Sequence, residues 1–184
     1  MTDYPKPSLT ADVVAFTLDP TGRLRVLVIR RAREPFAGSW AFPGGFVEQG
    51  EDAQRAAARE LEEETGLTGV ALEQIGAFTG VGRDPRGWIV SVAFLTALTW
   101  EHAQRVKGGD DAADARWLEI ELTGFARGVV RDGGETAILA FDHGEVLAWA
   151  IGRMQQSLGR YAAAMTAAPP AAAVLAGELA APWR

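Results

Sequence analysis

The chain has 184 residues, no cysteine and a formal net charge of -6, with 48% hydrophobic and 23% charged residues. Such figures suit one ordinary globular domain that buries a core unaided, and the lack of cysteine excludes a disulfide framework, a zinc ribbon and a thiol nucleophile. The acidic balance argues against general affinity for nucleic acid. No apolar run is long enough to cross a membrane, and no basic segment followed by an apolar one opens the chain. A cytoplasmic protein with neither membrane nor nucleic-acid partners is the expectation.

In chain order, residues 13–18 read as a strand and 24–31 as its partner, joined by the turn-forming Asp19-Pro20-Thr21-Gly22. Both strands are apolar on both faces, which predicts a sheet covered on both sides. Residues 32–51 are loop-rich. Residues 52–65 predict a helix, rich in Ala, Glu, Leu and Arg and closed by Gly66. Strands are expected at 70–78, 88–98 and 115–120, with Trp88 and Trp117 assigned to packing. Asp142 and Glu145 have the D-x-x-E spacing of a capping box. The helix they open repeats Leu147, Ile151, Met154 and Leu158 at helical spacing. Residues 1–141 read as a core. Residues 142–184 read as a C-terminal helix and alanine-rich tail packed on that core or on a partner subunit. His143, beside a helix start, reads as structural.

The chemistry concentrates around the first helix. Gly45 is followed at fixed spacings by Glu51, Arg59-Glu60-Leu61, Glu63-Glu64 and Gly66-Leu67. At about 100° per residue, Glu60, Glu63 and Glu64 fall within roughly a third of the helix circumference. Ala53, Ala56 and Ala57 share that face, which predicts a space beside the carboxylates. Carboxylates crowded together repel one another unless a cation joins them. Hard divalent ions with oxygen ligands answer that need. Mg²⁺ suits a phosphate substrate best, with Mn²⁺ as the other candidate.

This spacing matches every fixed position of the Nudix box, G-x5-E-x7-R-E-U-x-E-E-x-G-U, where U is a bulky aliphatic residue. The chain resembles the Nudix hydrolases over residues 10–165. The resemblance implies an α/β fold, the Nudix α/β/α sandwich with a mixed sheet. It implies Glu60 and Glu64 as main metal ligands, Glu63 as a third ligand or helper, and the Gly44 carbonyl as a backbone ligand. Arg59 and Glu51 match a pair that holds helix and loop in register. The implied reaction is metal-assisted hydrolysis of a diphosphate linkage. Its base is either Glu60 or an acid of a later loop, with Asp111 first and Asp110 second.

The segment Gly82-Arg83-Asp84-Pro85-Arg86-Gly87-Trp88 places two arginines in a loop fixed by Gly and Pro, and both can grip phosphate. It resembles the branch that holds ADP-ribose pyrophosphatases and regulators of NAD metabolism. Residues 34–45 and 139–143 are similar to that branch too. The resemblance implies ADP-ribose as substrate, cleaved to AMP and ribose 5-phosphate, with Arg83 and Arg86 on its phosphates. Trp40 and Phe36 are candidates for stacking on its base. It also implies a homodimer. Other nucleotides (a damaged triphosphate, a dinucleoside polyphosphate, a sugar nucleotide) are alternative substrates. An ADP-ribose-sensing regulator without a DNA-binding domain is the alternative function.

Overall fold

The computed structural model describes residues 4–107 and 114–166. Among them the element order is β1 (Ser8–Leu18), β2 (Leu24–Arg30), β3 (Trp40–Ala41), β4 (Gly44–Phe46), α1 (Ala53–Thr65), β5 (Glu73–Phe78), β6 (Ile89–Leu98), α2 (Trp100–Ala103), β7 (Ala115–Gly124), β8 (Arg127–Asp132), β9 (Glu135–Thr136), α3 (His143–Gln156) and α4 (Leu158–Met165).

The strands form one mixed sheet in the order β5-β6-β1-β2-β7-β8-β9, with β3 on β2 and β4 on β1. β1 runs parallel to β6 over ten residue pairs, and the other ladders are antiparallel. β1 is central and buried from Thr10 to Leu18, because its two faces enter different cores. Ala11, Val13 and Ala15 pack with Leu27, Ala56, Ala57 and Leu61 under α1. Val14, Phe16 and Leu18 pack with Val146, Leu147, Ile151, Met154 and Tyr161 under α3 and α4. The double covering expected from apolar alternation failing on both strands is what the fold shows. It is an α/β/α sandwich.

Several local readings change. The alanines of α1 leave no space, since Ala56 and Ala57 are fully buried against the sheet. Their small side chains let the helix approach closely, and this brings the next turn, with Glu60 and Glu64, against β4. Asp142 begins α3 but makes no side-chain cap bond, because its carboxylate is taken by Arg83. The C-terminal stripe is broken at Ser157 into two helices, with Leu158 opening the second and still packing on the same core.

Glu73 at the start of β5 fixes that helical layer. It accepts from Arg153 Nε at 2.7 Å, Arg160 Nη1 at 2.6 Å and Tyr161 Oη at 2.6 Å. The β8–β9 hairpin lies where no element was expected. Trp117 packs under α1 and donates to the Ala103 carbonyl at 2.9 Å. Trp88, expected in the core, is 60% exposed.

Candidate active site

The site lies where α1, β1, β4 and the loops after β2, β5 and β9 meet. Asp52 caps α1 by accepting from the Arg55 N–H, and Gly66 closes the helix in a left-handed conformation. Arg59 then ties the helix to the loop before it. Its Nε and Nη2 donate to the two Glu51 oxygens at 3.1 and 3.0 Å, and Nη2 also donates to the Phe46 carbonyl at 3.0 Å. Its Nη1 donates to Glu60 at 2.7 Å and Glu63 at 3.2 Å. The pairing with Arg59 holds the Glu51 carboxyl below its ordinary range.

The three box glutamates separate. Glu63 is outermost, its side chain 58% exposed beside Arg59. Glu60 is turned inward so tightly that a Cβ on Gly45 would lie 2.3 Å from its Oε1, so a side chain at Gly45 would displace the Glu60 carboxylate. Burial pushes Glu60 up, opposed by its bond to Arg59. Glu64 accepts from the Gly44 N–H at 2.9 Å. Burial, joined by the negative charges of Glu60 and Asp12, pushes Glu64 up to about 8 against the pull of that N–H and Arg31.

The opposite wall is cationic and aromatic. Arg31 lies 4.7 Å over the Phe141 ring, and Arg86 lies 5.2 Å over Phe141 and 5.1 Å over Phe46. Asp84 accepts from Arg86 Nε and Nη2, which orients the guanidinium. Burial lowers Arg31, and the like charge of Arg86 lowers it further. Asp12, Gly44, Glu64, Arg31, Arg86 and His143 all line this cleft.

The expected substrate residues thus have different fates. Arg86 faces the cleft. Arg83 reaches its wall, but its side chain is 5% exposed and donates through Nε and Nη2 to Asp142 at 2.8 and 2.6 Å. Phe36 is on the rim, edge-on to Phe141 at 4.9 Å. Trp40 is 6% exposed and packs in the core, with Arg30 and Arg116 against its ring. Asp110 and Asp111 lie outside the described residues. Sequence reasoning missed Asp12, Arg31 and Phe141. A lone acid inside the apolar run of β1 was the available signal for Asp12.

Among the described residues no three acidic or imidazole side chains converge as a preformed ion site, since Arg59 and the Gly44 N–H hold the glutamates apart. The donor chemistry nevertheless fits a hard divalent cation. Glu60 and Glu64 are inward-facing oxygen donors, and the buried Glu64 carboxyl accepts from the Gly44 N–H but has no ion pair among the described residues.

Residues 8–138 match the NUDIX domain family. The chain belongs to the Nudix family. Among its relatives, the ADPR responsive transcriptional repressor NtrR of Acinetobacter baylyi is 32% identical over 171 residues, 91% of this chain and 62% of that protein. The ADP-ribose pyrophosphatase of Methanocaldococcus jannaschii is 34% identical over 123 residues, 67% of this chain and 63% of that protein. This Nudix chain therefore spans less than two thirds of the length of either relative. The solved Nudix domain of Shewanella oneidensis NrtR, complexed with ADP ribose, superposes with a TM-score of 0.66 at 26% identity, covering 82% of this chain and 90% of that one. The sandwich and mixed sheet expected from the box are those of the family.

Proposed function

We propose that this Nudix chain hydrolyses the diphosphate of ADP-ribose, or of a close adenine diphosphate analogue, giving AMP and ribose 5-phosphate. The observation that carries the reading is the division of one cleft into two charged walls. Glu64 lines one side, with the Glu60 carboxylate against Gly45 beside it, and Arg31 and Arg86 line the other. Each wall repels itself. A diphosphate carrying a divalent cation satisfies both at once, with the metal toward the carboxylates and the phosphate oxygens toward the guanidiniums.

Glu60, Glu64 and the Gly44 carbonyl would hold the ion, with Glu63 as outer helper. Mg²⁺ is favoured and Mn²⁺ is the other candidate. When bound, such an ion neutralises phosphate charge and lowers the pKa of a bound water. Arg86 and Arg31 orient the diphosphate. Phe141, stacked on both, and Phe36 beside it offer an aromatic surface for the base. Arg59 and Glu51 keep the helix and loop in register and touch no reacting atom. Glu60, with its carboxylate against Gly45 of the cleft wall, is one candidate base, and Asp111 stays the other.

The relatives supply the choice of ADP-ribose, since one acts on it and two are described by response to it or complex with it. The repressor among them motivates a second reading, an ADP-ribose-sensing regulator. The intact Glu60, Glu63 and Glu64 favour catalysis over sensing alone. A substrate panel under Mg²⁺ tests the choice. ADP-ribose should lead in kcat/KM. Nucleoside triphosphates ahead by tenfold would refute the substrate and leave the reaction class. Binding of ADP-ribose without turnover would favour the regulator.

A further inference from the structure

Beneath the two charged walls lies a pair of polar groups that the reaction does not use. Asp12 sits in mid-β1, 7% exposed. Ser91, fully buried on β6, donates its hydroxyl to Asp12 Oδ2. The pairing of Thr10 with Ser91 and of Asp12 with Ala93 across the parallel ladder sets this contact. Across from it His143, 3% exposed, is locked by its other nitrogen: Nδ1 accepts the Phe42 N–H at 3.0 Å, with the ring stacked on Phe42. An imidazole whose Nδ1 accepts a hydrogen bond carries its proton on Nε2. That Nε2–H faces Asp12 Oδ1 at 3.9 Å, beyond hydrogen-bond reach. Both residues line the cleft.

We propose that Asp12 and His143 form a subsite for one sugar hydroxyl of the substrate. Among the described residues neither atom has a hydrogen-bond partner, and the two are a fixed acceptor and a fixed donor, side by side, each residue held by a buried partner. A hydroxyl satisfies both, donating its proton to Asp12 Oδ1 and accepting from His143 Nε2. A phosphate oxygen cannot, because it has no proton for Asp12 and shares its negative charge. An ammonium cannot, because it has no lone pair for His143. The subsite therefore places a ribose-type alcohol on the cleft floor while the diphosphate lies between the charged walls. Sites that hydrogen-bond a hydroxyl reject the analogue lacking it, because their buried polar atoms are then left unpaired. The inference rests on the ADP-ribose reading and sharpens it.

The test is a matrix of enzymes against ADP-ribose and its single-deoxy analogues, one for each 2′ and 3′ hydroxyl of the two riboses. Wild type should lose roughly 10- to 100-fold in kcat/KM on one analogue. Asp12→Asn removes the charge and keeps the Ser91 bond. His143→Asn keeps an acceptor for the Phe42 N–H and deletes Nε2. Each variant should be slowed on ADP-ribose itself and should erase most of the discrimination against that one analogue. Ser91→Ala, which only loosens Asp12, should give a smaller loss on the same hydroxyl. Thermal melts exclude unfolding, and if Asp12→Asn does not fold the other two variants decide. Equal losses on every analogue, or discrimination unchanged in the variants, would overturn the subsite. Calorimetric binding of the same series separates the two claims. ADP-ribose bound but not hydrolysed defeats the proposed reaction and leaves the hydroxyl comparison readable in Kd, whereas no binding of ADP-ribose overturns both.

Discussion

At the scale of single residues, charge and closeness divide the labour. Glu64 is a buried carboxylate whose ionised form is disfavoured by its surroundings. Glu64→Gln should abolish turnover yet leave the melting temperature in EDTA unchanged or higher, because the amide removes a buried charge. Mg²⁺ should raise the melting temperature of wild type and leave the variant where it was. More than a tenth of wild-type rate in the variant at saturating Mg²⁺ would remove Glu64 from the metal site. The two loop arginines make a sharper contrast. Arg83→Ala strips a buried carboxylate of its partner, and such losses cost about 3–5 kcal/mol. Its signature is a lowered denaturation midpoint. Arg86→Ala likewise strips the buried Asp84 of its partner, so its midpoint should also fall, but it alone should raise KM more than it lowers kcat. An equal rise in KM for the two would contradict the division. The sequence showed both arginines in one loop but could not separate them, because Asp142, 59 residues away from Arg83, chooses between them only after folding. Trp40 was unreadable for the same reason, since an aromatic beside a strand faces base or core according to which layer covers it.

Among the elements, the helix of the box was legible from spacing, cap and closing glycine, all local signals. The β8–β9 hairpin was not, although Gly133 and Gly134 with positive φ mark its turn. Its strands are short, and pairing with β7 rather than intrinsic preference forms them. The cleft floor was illegible because β1, β6 and the start of α3 bring Asp12, Ser91 and His143 together from distant positions. The β1–β2 turn carries a prediction of its own. Burial alone would raise Asp19, but bonds from Thr21, Arg25 and the Arg23 and Thr21 N–H groups outweigh it and hold its carboxyl down to about 2. A depressed carboxyl contributes stability that is present above its unfolded value of 3.8 and lost as pH falls through the folded value of about 2. Asp19→Asn should therefore lower stability at pH 7 by on the order of 2 kcal/mol. The difference from wild type should close between about pH 4 and 2. A gap that persists at pH 2 would mean the turn is held by something other than this charge.

For the whole molecule, the sandwich places one cleft between a helix that carries carboxylates and loops that carry guanidiniums. The other helical layer, α3 and α4, is latched to the sheet edge through Glu73. We propose a homodimer, and the exposed Trp149 of α3 and Phe125 of the β7–β8 turn offer it apolar surface. Light scattering at micromolar concentration should return twice the chain mass, and a monomer would end the dimer proposal. Duplex DNA should bind weakly at physiological salt, given the charge of -6, and tight specific binding would instead favour the regulator.

We propose that a carboxylate-held divalent ion and two arginines promote hydrolysis of the diphosphate of ADP-ribose. Mass analysis of the products from ADP-ribose, with wild type and Glu64→Gln, in Mg²⁺ and in EDTA, decides it. AMP and ribose 5-phosphate should form with wild type in Mg²⁺ and in no other arm. Intact ADP-ribose in every arm, or the same products from Glu64→Gln or in EDTA, would contradict it.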